Sequence, residues 1–259
     1  MIKTRHTRAK KGLKQMKKEA FYSQMPDGTE IYYEKSGVGE PLFLLHGNGD
    51  SGGYFSHQVP LFEKYFTVYV IDSRAHGKSN NTQPYLDFPL MADDLVQLIA
   101  QESLSDVTIL GFSDGANLAL VFSVLYPQKV RALVLNSGNI FVSGVKFWAN
   151  WWSYAQLIWF WLGHFFIPKY QQKLSMIRLM LHDSGVSESQ LHQIACPTLI
   201  IVGYRDLVTL RHSKFLARSI PQASFVRMKG ENHFYARRNP DSFNQEVLAF
   251  LNSVGEVEK

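Results

Sequence analysis

Short apolar runs rich in β-branched and aromatic residues recur along the chain, and stretches with a helical period separate them. The pattern predicts strands at Phe21–Met25, Ile31–Glu34, Leu42–Leu45, Val68–Ile71, Val107–Leu110, Ala132–Leu135, Thr198–Val202 and Ser224–Met228. The first two are joined by the turn residues Pro26, Asp27 and Gly28. Helices are predicted at Tyr54–Lys64, Pro89–Gln101, Asn117–Leu125, Leu210–Ser219 and Asp241–Leu251. Most of the strands are apolar at nearly every position and alternate with helices. That is the signature of a mostly parallel, eight-stranded sheet covered by helices on both faces, an α/β architecture.

The alternation breaks once, after the sixth strand. Residues 138–195 supply helix-like material and no convincing strand, so they read as a helical cap inserted at the sheet edge where strand carboxyl ends collect. Within it, Phe147 to Ile167 contains no Lys, Arg, Asp or Glu and holds all five tryptophans. Its length suits a membrane span, but Asn150, Ser153, Gln156, Gly163 and His164 interrupt it. A span would also separate Ser113 from His233, two residues argued below to work together. The aromatic residues admit three readings: a face packing the cap on the sheet, an acyl pocket built from Trp148, Trp152 and Trp159, or a lid that opens at a lipid surface.

Composition narrows the class. With 259 residues, 46% of them hydrophobic, the chain buries enough surface to fold without disulfides or metal. Its single cysteine, Cys196, cannot form an internal disulfide, which points to a reducing, cytoplasmic setting. The net charge of +5 is concentrated at one end: Met1 to Ala20 carries eight Lys or Arg and one Glu, leaving 19 basic and 21 acidic residues for the rest. The body therefore offers no basic face for nucleic acid, and the tail lacks the apolar core of a signal peptide. The tail reads as a solvated extension, with membrane-surface contact or a transit peptide as secondary readings; no oligomeric state follows from the sequence. The organisation expected is a basic extension over 1–20, a core formed by 21–137 and 196–259, and the cap over 138–195.

The chemistry centres on Gly111-Phe112-Ser113-Asp114-Gly115, a Gly-x-Ser-x-Gly pattern between a predicted strand and a predicted helix. A strand-to-helix turn this sharp strains the central residue and crowds its neighbours, so the flanking positions must lack side chains. A serine hydroxyl needs a base, and the base an orienting carboxylate, in the chain order Ser, Asp or Glu, His. His233 follows the last predicted strand in Gly230-Glu231-Asn232-His233 and is the expected base. Asp206 alone among the downstream aspartates closely follows a sheet strand, and is the expected orienter. The backbone N–H groups of Asn48, in His46-Gly47-Asn48-Gly49, and of Asp114 are the expected oxyanion donors. His46 itself reads as packed beneath that loop. No zinc-like ligand spacing and no phosphate-binding loop is found, so neither metal nor cofactor is expected.

The elbow, the His46-Gly47 loop, Asp72-Ser73-Arg74-Ala75-His76-Gly77-Lys78-Ser79, Gly203-Tyr204-Arg205-Asp206 and Gly230-Glu231-Asn232-His233 together resemble the α/β-hydrolase fold superfamily, over roughly residues 20 to 252. Ser113 followed by Asp114, with Phe66-Thr67-Val68 ahead of the Asp72 motif, is similar to the valacyclovir hydrolase branch. Haloalkane dehalogenases and epoxide hydrolases of this fold resemble the chain at His46-Gly47-Asn48, but carry aspartate where Ser113 stands.

The branch resemblance implies that Asp114 attracts a substrate amino group; the other role open to it is capping the following helix. The chain departs from the branch at Ala116, where a second glycine is usual, and in its Trp-rich cap. The function expected is a serine hydrolase acting on a small carboxylic ester, amide or thioester. A lipase or monoacylglycerol-type esterase, and a non-catalytic small-molecule receptor, are the alternatives.

Overall fold

The computed structural model describes residues 17–167 and 169–256. Eight strands form one sheet: β1 (Glu19–Gln24), β2 (Glu30–Gly37), β3 (Glu40–Leu45), β4 (Phe66–Ile71), β5 (Val107–Phe112), β6 (Val130–Asn136), β7 (Thr198–Arg205) and β8 (Ala223–Asn232). Their spatial order is β1-β2-β4-β3-β5-β6-β7-β8. The β1–β2 and β2–β4 pairs are antiparallel and every other pair is parallel. Nine α-helices lie among the described residues: α1 (Val59–Phe62), α2 (Phe88–Gln101), α3 (Asp114–Leu125), α4 (Phe147–Gly163), α5 (Lys169–Met180), α6 (Glu188–Leu191), α7 (Leu210–Ser219), α8 (Tyr235–Arg238) and α9 (Pro240–Ser253).

Strand side chains point alternately to the two faces, and the central strands are apolar on both. Phe43, Leu45, Ile109, Leu133, Leu135 and Ile200 pack with Leu95, Leu98, Leu118 and Leu216 from α2, α3 and α7. Leu42, Leu44, Leu110, Val134 and Ile201 pack on the opposite face with Phe62 of α1 and Phe243 and Val247 of α9. The two-sided cover expected from the sequence is thus built by the period-2 register of the strands themselves. Where helices begin, side chains satisfy free backbone groups: Asp87 accepts from Leu90 N–H at α2, and Thr209 from His212 N–H at α7.

Three local departures have physical causes. The helix expected over Tyr54–Lys64 divides into a 3₁₀ turn at Gly52–Phe55 and the single turn α1. Pro60 has no N–H and its ring would strike the carbonyl of Ser56 in a continuous helix. Strands β7 and β8 run further than their apolar cores suggest, and Arg205 pairs with Asn232 beyond a register shift. Helix α3 begins at Asp114 rather than Asn117. The expected basic extension lies mostly on residues 1–16, outside the described residues, while β1 starts at Glu19, inside the stretch assigned to it.

Between β6 and β7 lie α4, α5 and α6, with no strand of the sheet among the described residues. Helix α5 faces inward: Leu174, Met176, Ile177 and Leu179 are buried. Helix α4 contains no buried residue. The segment preceding α4 is tied to the loop after β7, through an isolated bridge between Val145 and Val208 and the bond from Lys146 N–H to Leu207 O.

Candidate active site

Ser113 follows β5 directly, with φ 52° and ψ −118°, a left-handed conformation that a side-chain-bearing residue rarely adopts. The turn is held because its flanks are glycine. A Cβ at Gly111 would sit 2.3 Å from Gly115 O, and one at Gly115 would sit 2.0 Å from Leu45 O and 2.6 Å from His46 O. The elbow is thereby pressed against the end of β3. A Gly115→Ala variant is expected to cost about 2–3 kcal/mol, the upper end of ordinary overpacking, read as a lower urea midpoint. An unchanged midpoint would mean that α3 can shift away from β3 without loss.

Asp206 and His233 stand just beyond β7 and β8. These strands come close at Gly203, where a Cβ would meet Asn232 O at 2.4 Å, so a side chain there would force the two loops apart. Ser113 Oγ lies 3.2 Å from His233 Nε2, and His233 Nδ1–H donates to Asp206 Oδ1 at 2.7 Å. Three side chains from distant points of the chain are therefore in line, hydroxyl to imidazole to carboxylate. Asp206 is buried, which opposes its ionisation. Bonds from His233, the Ser137 hydroxyl (2.7 Å) and Val208 N–H (3.1 Å) nevertheless hold its carboxyl below the usual carboxylate range. Gly203 N–H adds a further donor at 3.1 Å.

The His46–Gly49 loop closes the other side. Gly47 lies so near the elbow that a Cβ there would be 3.1 Å from both Ser113 Cβ and the Phe112 ring. Neither Asn48 N–H nor Asp114 N–H is hydrogen-bonded among the described residues. His46 is buried, which lowers its pKa; it donates to Gly47 O (2.8 Å) and accepts from Ser73 N–H (3.1 Å), fixing the loop from below. His212 is buried in the first turn of α7. It accepts from Ile140 N–H at 3.1 Å, and burial lowers its pKa to about 4.

Asp114 neither caps α3 through its side chain nor stands unpaired. Its carboxylate accepts from Asn48 Nδ2 at 2.9 Å and Asn117 Nδ2 at 3.1 Å, and Asn48 Nδ2 also donates to Met176 O of α5. Burial pushes its pKa up to about 6 against these two donors. Asn117 and Ser137 carry no signal in the sequence that marks them as partners of acidic residues. Both are small polar side chains whose role depends on what the fold brings to them.

A cavity of about 250 Å³ opens over Ser113 and His233. Asp114, Asn117 and Asn139 give it a polar side, and Trp148 and Trp152 an aromatic wall; Leu179 and Met180 of α5 also line it. Trp159, expected in the same wall, is not among the lining residues and is exposed. It sits two turns further along α4, past the mouth of the cavity.

Comparison with known proteins gives the same fold. The profile of the alpha/beta hydrolase fold family matches residues 40–168. Serine hydrolase BPHL of Mus musculus is 29% identical over 247 residues, covering 87% of this chain and 84% of the mouse protein. The carboxylesterase CesB (YbfK) of Bacillus subtilis has a TM-score of 0.78 at 19% identity, over 92% of this chain and 93% of its own. The esterase EaEST of Exiguobacterium antarcticum has a TM-score of 0.76 at 22% identity, over 89% and 98%. Sheet order, elbow and relatives agree: the chain is an α/β-hydrolase-fold serine hydrolase that loosely resembles the valacyclovir hydrolase branch.

Proposed function

We propose that the protein hydrolyses small carboxylic esters through an acyl-enzyme formed on Ser113, with His233 as the base and Asp206 as its orienter. The observation that carries this reading is the line of two hydrogen bonds, 3.2 Å and 2.7 Å long, joining the three side chains. Ser113 Oγ attacks the ester carbonyl carbon as its proton passes to His233 Nε2. The carbonyl oxygen gains the negative charge and is met by the free N–H groups of Asn48 and Asp114. Collapse expels the alcohol, which takes the proton from His233. Water then repeats the sequence in reverse roles, with His233 accepting its proton, and releases the carboxylic acid.

A fluorophosphonate probe is expected to label wild-type protein at Ser113 and to leave Ser113→Ala unlabelled. Absence of an adduct on folded wild-type protein would favour a receptor over an esterase. A cavity of about 250 Å³ is small beside ordinary ligand pockets. On a panel of nitrophenyl esters, rates are therefore expected to fall as the acyl chain lengthens beyond a few carbons. Rates that rise with chain length would favour the lipase alternative.

The substrate preference we infer is for acyl groups carrying an α-ammonium. The carboxylate of Asp114 lines the cavity beside Ser113, and its two amide donors hold it in place without neutralising it. With its pKa pushed up to about 6 by burial, Asp114 is neutral at lower pH and ionised above. The ratio of kcat/KM for an aminoacyl ester over the matching simple acyl ester should therefore rise as pH passes upward through about 6. Taking the ratio cancels any pH effect on the chemical step that both substrates share. Asp114→Asn is expected to flatten this profile and lower the ratio about tenfold or more, the value of a hydrogen bond between charged groups. Equal loss on both substrates would leave Asp114 a structural role only.

A further inference from the structure

Helix α4 has two opposed faces. Trp148, Ala149, Trp152, Ser153 and Gln156 recur at helical spacing and line the cavity over Ser113. Half a turn away lie Phe147, Trp151, Tyr154, Ile158, Trp161 and Leu162, all exposed: Phe147 at 82%, Trp151 at 64% and Ile158 at 60%. The apolar surface continues past the end of the helix through Phe165, Phe166 and Ile167, also exposed. Exposed apolar patches of this extent mark an interaction surface rather than ordinary protein exterior.

Charge identifies the partner. No Asp or Glu occurs between Asp114 and Asp183, whereas Lys146, Lys169, Lys173 and Arg178 all fall in or beside α4 and α5. Lys173 and Arg178 are exposed. Two copies of this chain meeting through α4 would each bring Lys146, which immediately precedes the helix, to a seam where α4 offers no acidic side chain to meet it, and uncompensated charge at an interface opposes association. An anionic lipid surface matches both halves of the patch: Trp, Tyr and aliphatic side chains settle at the headgroup boundary, and lysine and arginine meet lipid phosphates.

We propose that the outer face of α4 docks the protein on an anionic membrane surface, with the helix lying in the plane of the interface. It lies on the bilayer rather than through it. Seventeen residues of α-helix extend about 25 Å, short of the roughly 30 Å hydrocarbon core. No helix among the described residues is long and apolar enough to cross a membrane. The opposite face of α4 is also committed to the cavity. Docking holds the mouth beside the lipid phase, so an ester partitioned there reaches Ser113 without a long path through water. The docking stands on exposure and charge, independently of the proposed chemistry at Ser113.

The test is flotation with vesicles of phosphatidylcholine alone or with about 30% phosphatidylglycerol, the anionic lipid supplying the surface potential. Wild-type protein should float with the anionic vesicles and much less with the neutral ones, and high salt should reduce binding. The triple variant Trp151→Ser, Ile158→Ser, Leu162→Ser changes only the outer face. It should bind anionic vesicles at least about tenfold less, as expected when three interfacial apolar side chains are lost, with an unchanged circular dichroism spectrum and melting temperature. If that variant misfolds, quenching of wild-type tryptophan emission by bromine-labelled lipid in the same vesicles decides instead. Failure of the wild type to float, flotation of the folded variant equal to wild type, or absence of quenching overturns the proposal. Equal flotation on neutral and anionic vesicles overturns its charge component. A wild-type dimer in sedimentation that the triple variant converts to monomer, without flotation, assigns the face to a second copy and also overturns it.

Discussion

Ser113→Ala is expected to lower kcat on a nitrophenyl ester by about a million-fold while leaving the fold intact, the scale on which serine nucleophiles of this kind contribute. The substitution removes one oxygen and leaves the backbone alone. Alanine meets the same steric cost as serine at φ 52°, so melting should shift by no more than about 0.5 kcal/mol equivalent. His233→Ala should produce a comparable loss. Because proton transfer and attack form one step, the double variant should be no slower than the worse single one. Multiplying losses would show that serine and histidine act separately, and a Ser113→Ala enzyme within tenfold of wild type would remove Ser113 from the chemistry altogether. The residual rate has its own meaning, since donors at the oxyanion site continue to act after the nucleophile is gone.

The second large effect concerns stability, far from any substrate. Arg74 is 2% exposed, and its guanidinium makes two parallel bonds to the buried Asp94 carboxylate, at 2.8 Å and 2.5 Å, with others to Asp27 and Thr29. Arg74→Ala strands the Asp94 carboxylate in the interior without its donors. Breaking a buried pair from one side costs about 3–5 kcal/mol, which for a domain of this size lowers Tm by about 6–20 °C. Calorimetry on the variant checks the loss, and the combination Arg74→Leu with Asp94→Leu checks its origin. If the penalty is an orphaned charge, the apolar pair should recover most of the stability. If the double variant is as unstable as Arg74→Ala, the guanidinium's bonds to Asp27 and Thr29 carry the effect.

Much of the sheet could be read before any coordinates, because a parallel strand buried on both faces must be apolar at successive positions. Val107–Leu110 and Thr198–Val202 declare themselves in that way. Helix Leu210–Ser219 was equally legible, its exposed cations Arg211, Lys214 and Arg218 recurring at helical spacing and its expected bounds matching α7 at both ends. Breaks in regularity were harder to see. Pro60 interrupts a helix whose hydrophobic spacing looks continuous, and the final residues of β7 and β8 are polar and partly exposed, so nothing in their chemistry announces strand.

Around the candidate site the same division holds. Ser113, Asp206 and His233 could be singled out because each directly follows a strand in a fixed chain order. The partners that hold the carboxylates in place could not. Ser137 reaches Asp206 across β6 and β7, and Asn117 reaches Asp114 one helical turn away, contacts that depend on three-dimensional placement. The tryptophans illustrate a further limit. Trp148, Trp152 and Trp159 recur on one side of α4, and only knowledge of where along the helix the cavity ends separates the first two from the third.

Helix α4 shapes the cavity yet contributes no buried side chain. The aromatic wall of the cavity and the packed core are consequently supplied by different parts of the chain. Substitutions along Phe147–Gly163 can remodel what enters the cavity without drawing on the stability supplied by the sheet. Sequence can drift there faster than at the elbow, and a library confined to α4 would explore new substrates with few casualties from unfolding.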